Sequence, residues 1–129
     1  MESILMDVNW TAVIVGAVLA YVAGWLWYSE KMFGTKWSAG VGLDISDDVS
    51  APMGPAMVAQ AFGTFLLAWT VGVIYATDNP ALIILLACTY AVLVKAKGFF
   101  QMNTRYAIVV DATYVLVMVA IMFATQSIL

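Results

Sequence analysis

Four stretches of continuously apolar sequence, each about twenty residues long, constrain this chain more than any other feature. They cover residues 8–28, 55–76, 80–103 and 106–126. Crossing ~30 Å of hydrocarbon takes about 20 apolar residues in a helix. The runs do not alternate apolar with polar, which argues for helices and against barrel strands. Of all residues, 64% are apolar and 10% are charged. A soluble domain carries about 25% charged residues, so this chain has too few to cover a water-facing surface. The expected fold is all-α: one transmembrane domain over 1–129, an integral membrane four-helix bundle with an interfacial loop at 29–54. Pro55 and Pro80 fall in first helical turns, where proline is tolerated. Asp78-Asn79 ahead of Pro80 is expected to supply an N-cap. No cleaved leader is expected. Glu2 and Asp7 stand where a positive n-region would be, and the first run exceeds the roughly 7–15-residue core of a signal peptide.

Composition also removes chemistry. There is no histidine, the commonest general base and metal ligand. The single cysteine, Cys88, forms neither an intramolecular disulfide nor a cysteine metal cluster. Asp44-x-Ser46-x-Asp48 opens like a calcium loop, but Val49 and Pro55 stand where that loop needs glycine and glutamate. That stretch reads as a solvated turn. Five basic residues and a net charge of −3 leave no footprint for nucleic acid. The expectation is a protein that is not an enzyme and holds no cofactor or metal.

Charge distribution orients the bundle. Four crossings put both termini and the 76–80 turn on one side, and the 29–54 loop and the 103–106 turn on the other. Lys31, Lys36, Lys95, Lys97 and Arg105 all fall on the second side. Glu2, Asp7 and Asp78 fall on the first. Lys and Arg near span ends mark the cytoplasmic face. Both termini are therefore expected outside, in a bacterial inner membrane.

In lipid, helices associate where small residues let their backbones approach. Span one carries Ala12, Gly16, Ala20 and Gly24 at four-residue spacing. Span two carries Ala56, Gln60, Thr64, Ala68, Gly72 and Ala76 at the same spacing. The expectation is that these stripes pack on each other, or that one of them is an oligomer interface, with Gln60 and Thr64 bonding across the seam. Aromatic residues gather at both span ends as interfacial belts. Trp25, Trp27, Tyr28, Phe33, Trp37, Phe99, Phe100 and Tyr106 mark the inner belt, and Trp10, Trp69 and Tyr75 the outer. Residues 29–43 mix apolar and basic side chains, as a short helix lying on the inner leaflet would. Lys97, Arg105 and Trp37 are expected to contact lipid headgroups.

Asp111 is the one acid inside a span, about 7–8 Å beyond Tyr106 along a helix. An intramembrane acid needs a partner. A tight hairpin centred near residues 103–104 places Asp111 level with residue 96, between Lys95 and Lys97. Lys95 shares its face with the small Cys88, Ala91 and Gly98. Lys97 shares its face with the bulky Leu86, Tyr90, Leu93 and Val94. Small faces pack inward, so a buried Lys95–Asp111 pair is expected, with Lys97 snorkelling to the headgroups.

Asn9-Trp10 opens the first span, Gly24-Trp25-Leu26-Trp27-Tyr28-Ser29 closes it, and Phe33-Gly34 and Trp37 follow. This pattern resembles the N-terminal signature of a family of small bacterial membrane proteins, domain of unknown function 1761. Asp111-Ala112-Thr113-Tyr114 is similar to that family's D/N-A-G-Y stretch, with Thr113 in place of glycine. The resemblance implies a four-span bacterial membrane protein and no particular activity.

The residues thus point first to a non-enzymatic accessory subunit or homo-oligomer acting through helix packing, with membrane lipids or a larger membrane complex as partners. The alternatives are a small transporter or channel with a Lys95–Asp111 site at its cytoplasmic mouth, and a lipid-modifying enzyme. The orientation has a direct test. Cysteines replacing Lys31 and Arg105 should both react with an impermeant thiol reagent only from the cytoplasmic side; labelling from opposite faces would overturn the topology.

Overall fold

The computed structural model describes residues 5–29, 32, 34–40, 53–77 and 79–129. Five helices follow one another: α1 (Trp10–Trp27), α2 (Gly34–Gly40), α3 (Met53–Tyr75), α4 (Leu82–Phe100) and α5 (Arg105–Ile128). Four of them, α1, α3, α4 and α5, are long and apolar enough to cross a membrane. No strand occurs among the described residues. The acidic turn at 44–48, Glu2, Lys31, Phe33 and Asp78 lie outside the described residues.

Helix ends follow from local chemistry. Asn9 caps α1, its Oδ1 accepting from the Ala12 N–H at 3.2 Å. Thr104 caps α5 in the same way, accepting from the Ala107 N–H at 3.2 Å. Asn79, the described member of the expected Asp78-Asn79 cap, is not the N-cap of α4. The N-cap is Ala81, without a side-chain bond. The reason is a tight turn: the Leu82 and Ile83 N–H groups donate to the Asn79 and Pro80 carbonyls at 3.2 and 3.0 Å, so the first-turn donors are met by backbone. At the other end of α4, Met102 takes φ 59°. The Asn103 N–H donates to the Gly98 carbonyl and the Met102 N–H to the Phe99 carbonyl, each at 3.0 Å. This is a Schellman closure with methionine where glycine is usual.

The helix α5 is the centre of the bundle. It packs against α1, α2, α3 and α4. Within its span 44% of residues are buried, against 22–28% in the other three, so the core is built around it. Val115, Met118, Val119 and Met122 of α5 meet Val13 and Ala20 of α1, Leu67, Ala68 and Val71 of α3, and Ile83, Ala87 and Ala91 of α4 in this core.

The small residues of α1 face α5, not α3, which corrects the expected pairing of stripes. A Cβ on Gly16 would lie 2.7 Å from Thr125 Oγ1 and 3.4 Å from Met122 Cα. A Cβ on Gly24 would overlap the Tyr114 phenol. The Tyr114 hydroxyl in turn donates to the Ala20 carbonyl at 2.8 Å. The α3 stripe splits. Thr64, Ala68 and Gly72 are buried, while Ala56, Gln60 and Ala76 are exposed. Gly72 meets Val13 and Val8 and the Gln126 amide, so α3 offers its small residues to larger side chains of its neighbours. Two small stripes facing each other would leave a gap; a small stripe against Tyr114 and Met122 fills it.

The register of the α4–α5 hairpin agrees with a centre near 103–104. Gly98 lies level with Ile108, whose Cγ1 would stand 2.6 Å from an added Cβ.

These contacts predict opposite outcomes for two glycines. Gly24→Ala drives a methyl into the Tyr114 phenol and should cost about 1–3 kcal/mol, the range for overpacking. Gly54→Ala, whose Cβ meets nothing within 4 Å, should leave stability unchanged. Thermal melting in detergent checks both.

Candidate functional site

The acid that the sequence singles out sits at a junction of three elements. Asp111 lies on α5, half-buried, one and a half turns from the start of the helix. The chain leaves α1 at Tyr28 and returns through α2, and both segments close over the carboxyl group. The Tyr28 hydroxyl donates to Asp111 Oδ1 at 2.6 Å. The Trp37 indole N–H donates to the same oxygen at 2.8 Å. The two rings meet edge-on, 4.7 Å apart. Behind them Tyr28 also meets Tyr114 edge-on at 5.4 Å, and the Trp27 indole donates to the Val110 carbonyl at 3.1 Å.

The short helix α2 is held at further points. The Thr104 N–H donates to the Gly40 carbonyl at 3.0 Å. Gly40 has no room for a side chain, because Thr104 Oγ1 and the Ala107 methyl fill that space. The Lys36 ammonium stands 4.6 Å from the centre of the Tyr106 ring, a cation–π contact. The helix is thus a strap across the N-terminal end of α5, tied by one backbone bond, one indole–carboxyl bond and one cation–π contact.

This arrangement corrects two expectations. Lys95 is exposed, and the Asp111 carboxyl oxygen takes its hydrogen bonds from Tyr28 and Trp37 instead. The depth is right but the rotation is not. The α4 seam centres on Ala87, Ala91 and Gly98, which leaves Cys88 and Lys95 at its edge, both exposed. Lys97 is also exposed. Trp37 was expected at the headgroups; its indole N–H is turned inward to the carboxyl. Trp27 and Tyr28 likewise leave the expected belt for the bundle interior, whereas Trp25 and Phe100 remain outward. Arg105 is exposed at the start of α5, at the same end as Lys36 and Lys97.

Of the remaining expected residues, Gly16, Ala20 and Gly24 serve the α1–α5 contact, and Ala68 and Gly72 the core. Gln60 and Thr64 bond to each other within α3, the Gln60 amide donating to Thr64 Oγ1 at 3.1 Å, and the Gln60 side chain also hydrogen-bonds across to Tyr114 of α5. They line a recess of about 230 Å³ with Ala56, Ala59, Gly63, Leu67, Tyr90 and Met118. A second crease of about 300 Å³, between α1 and α3, is apolar apart from Tyr21. Among the described residues no group of three His, Cys, Asp or Glu side chains is placed to hold a metal ion.

Residue-by-residue reading missed Tyr28 and Trp37 as partners of Asp111, because it compared only adjacent spans. A usable signal was present: Gly24, Trp27, Tyr28, Trp37, Asp111 and Tyr114 carry the family resemblance, and in the fold they come together. Chemically the cluster is a hydrogen-bonded tie among neutral donors and one carboxyl group. Asp111→Leu removes the shared acceptor. It should expose Lys36 to trypsin faster than in the parent protein while Asp111→Asn, which keeps a carbonyl acceptor, lies between the two.

No curated protein and no solved structure matches the chain. The profile of a family described as protein of unknown function, DUF1761, matches residues 11–126. That range takes in nearly all of the four long helices together with α2. The chain belongs to the DUF1761 family.

Proposed function

We propose that this protein is a non-enzymatic, multi-pass protein of a bacterial inner membrane that works by helix packing, as an accessory subunit or a homo-oligomer. The observation that carries this reading is the polar recess beside α3. The Tyr90 phenol is exposed at membrane depth, where an unmet polar group costs several kcal/mol. A neighbouring helix with polar side chains meets that need. The orientation follows the charges: Lys36, Lys95, Lys97 and Arg105 share the end of the bundle where α2 meets the α4–α5 turn. With that end in the cytoplasm, both termini face outward, and the exposed Lys97 and Arg105 reach lipid phosphates.

The Asp111 cluster supports a structural part for this acid better than a transport part. Its oxygen already accepts from two fixed donors, α2 covers it, and no helix break lies beside it of the kind that builds midplane transport sites. A lipid-modifying reaction would need an acid–base couple, and Lys95 and Asp111 do not make one here.

Native mass measurement in mild detergent tests the proposal. The expected result is a particle containing more than one copy, or one copy with a second membrane protein bound. A strictly monomeric particle without a co-purifying partner would count against it.

A further inference from the structure

The helices α1 and α5 match at one end of the bundle and not at the other. At the matched end the Ala12 carbonyl accepts from the Thr125 hydroxyl, and Gly16 faces Met122. Further along, Gly24 faces Tyr114, and the Tyr28 hydroxyl reaches Asp111. The helix α1 therefore begins level with the end of α5 and stops level with Asp111. Residues 105–110 of α5 run on past it. At 1.5 Å per residue they extend about 9 Å further. The end of α4 goes with them, since Gly98 faces Ile108. The helix α2 lies on this overhang, with Gly40 on Thr104 and Lys36 over Tyr106.

The overhang has a defined depth in a bilayer. The 18 residues of α1 make about 27 Å of helix, close to the ~30 Å of hydrocarbon. With α1 filling the hydrocarbon, the overhang stands in the headgroup layer. Every described lysine and arginine lies there: Lys95 level with Asp111, Lys97 just beyond, Lys36 beside Tyr106 and Arg105 at the tip. All four are exposed. Among the described residues Asp111 is the one acid at this end, and its Oδ1 is turned to Tyr28 and Trp37. Exposed Phe99, Phe100 and Met102 stand between Lys97 and Arg105 in the chain. Water or free phosphate meets the charges and leaves the rings unmet. A phospholipid meets both, with a phosphate for the basic groups and an acyl boundary for the rings. A basic set confined to one layer favours headgroups of net negative charge, because a zwitterionic headgroup brings its own cation to the same layer.

We infer that the overhanging end of the α4–α5 hairpin, with α2 on it, is a binding surface for anionic phospholipid of the inner leaflet, held by Lys97 and Arg105. The inference rests on the orientation and phosphate contacts proposed above, and adds the class of lipid and the structural unit that takes it.

Spin-labelled lipids in phosphatidylcholine vesicles holding the full chain test it. The protein should restrict labelled phosphatidylglycerol about 5-fold or more over labelled phosphatidylcholine, the factor for one basic residue at an anionic surface. Lys97→Gln combined with Arg105→Gln should remove most of this preference and leave melting in detergent unchanged, because both side chains are exposed. Each single variant should lose part of it, and the singles carry the test if the double variant melts lower. Gln101→Ala, at the same turn and exposed, should keep the preference whole. Equal restriction of the two lipids, or a preference that survives both glutamines, overturns the inference. Displacement of the labelled lipid by inorganic phosphate at matched ionic strength assigns the site to free phosphate and also overturns it. The particle mass in mild detergent is read separately. A monomer that keeps the lipid preference overturns only the packing proposal, and an oligomer without the preference overturns only the lipid surface.

Discussion

Close approach of α1 and α5 is the contact on which the bundle depends. Glycine at 16 and 24 lets Met122, Thr125 and Tyr114 reach the α1 backbone, and Tyr114 uses that proximity to donate to the Ala20 carbonyl. Lipid tails are as apolar as leucine, so burial of apolar surface does not draw these helices together. Shape and hydrogen bonding do. With α5 held against α1, its other faces become available to α3, α4 and α2, and it is the most buried of the four long helices.

The end of the bundle where α2 sits is organised by the same economy. A carboxyl group at membrane depth is costly unless it is met. Asp111 is met by Tyr28, at the exit from α1, and by Trp37, on α2. The one acid therefore ties the first loop to the last span, across 83 and 74 residues of chain respectively. Lys36 over Tyr106 and Gly40 on Thr104 complete the strap. Family membership and this geometry meet at the same residues: those that carry the resemblance, Gly24, Trp27, Tyr28, Trp37, Asp111 and Tyr114, form one contiguous cluster.

Much of this was legible in the residues. The apolar runs locate α1, α3, α4 and α5 to within a few positions, a short helix was expected in 29–43, and the hairpin centre near 103–104 gave the depth of Gly98 against Ile108. Asp111 stood out as the residue needing a partner. The choice of Lys95 failed because a turn of roughly 70° about α4 separates a seam on Ala87, Ala91 and Gly98 from one on Cys88 and Lys95. Small residues populate both. Trp27, Tyr28 and Trp37 looked like belt aromatics because a ring near a span end has the same composition whether it points to headgroups or inward.

The sequence by itself determined the number of membrane-length helices and their lengths, since the thickness of hydrocarbon that a helix can match acts on each segment independently. Tertiary structure alone decided which helix faces which and what meets Asp111. In hydrocarbon every apolar face is equally content with lipid, so neighbours are chosen by rotation and fit between segments far apart in the chain, and neither is written into any one of them.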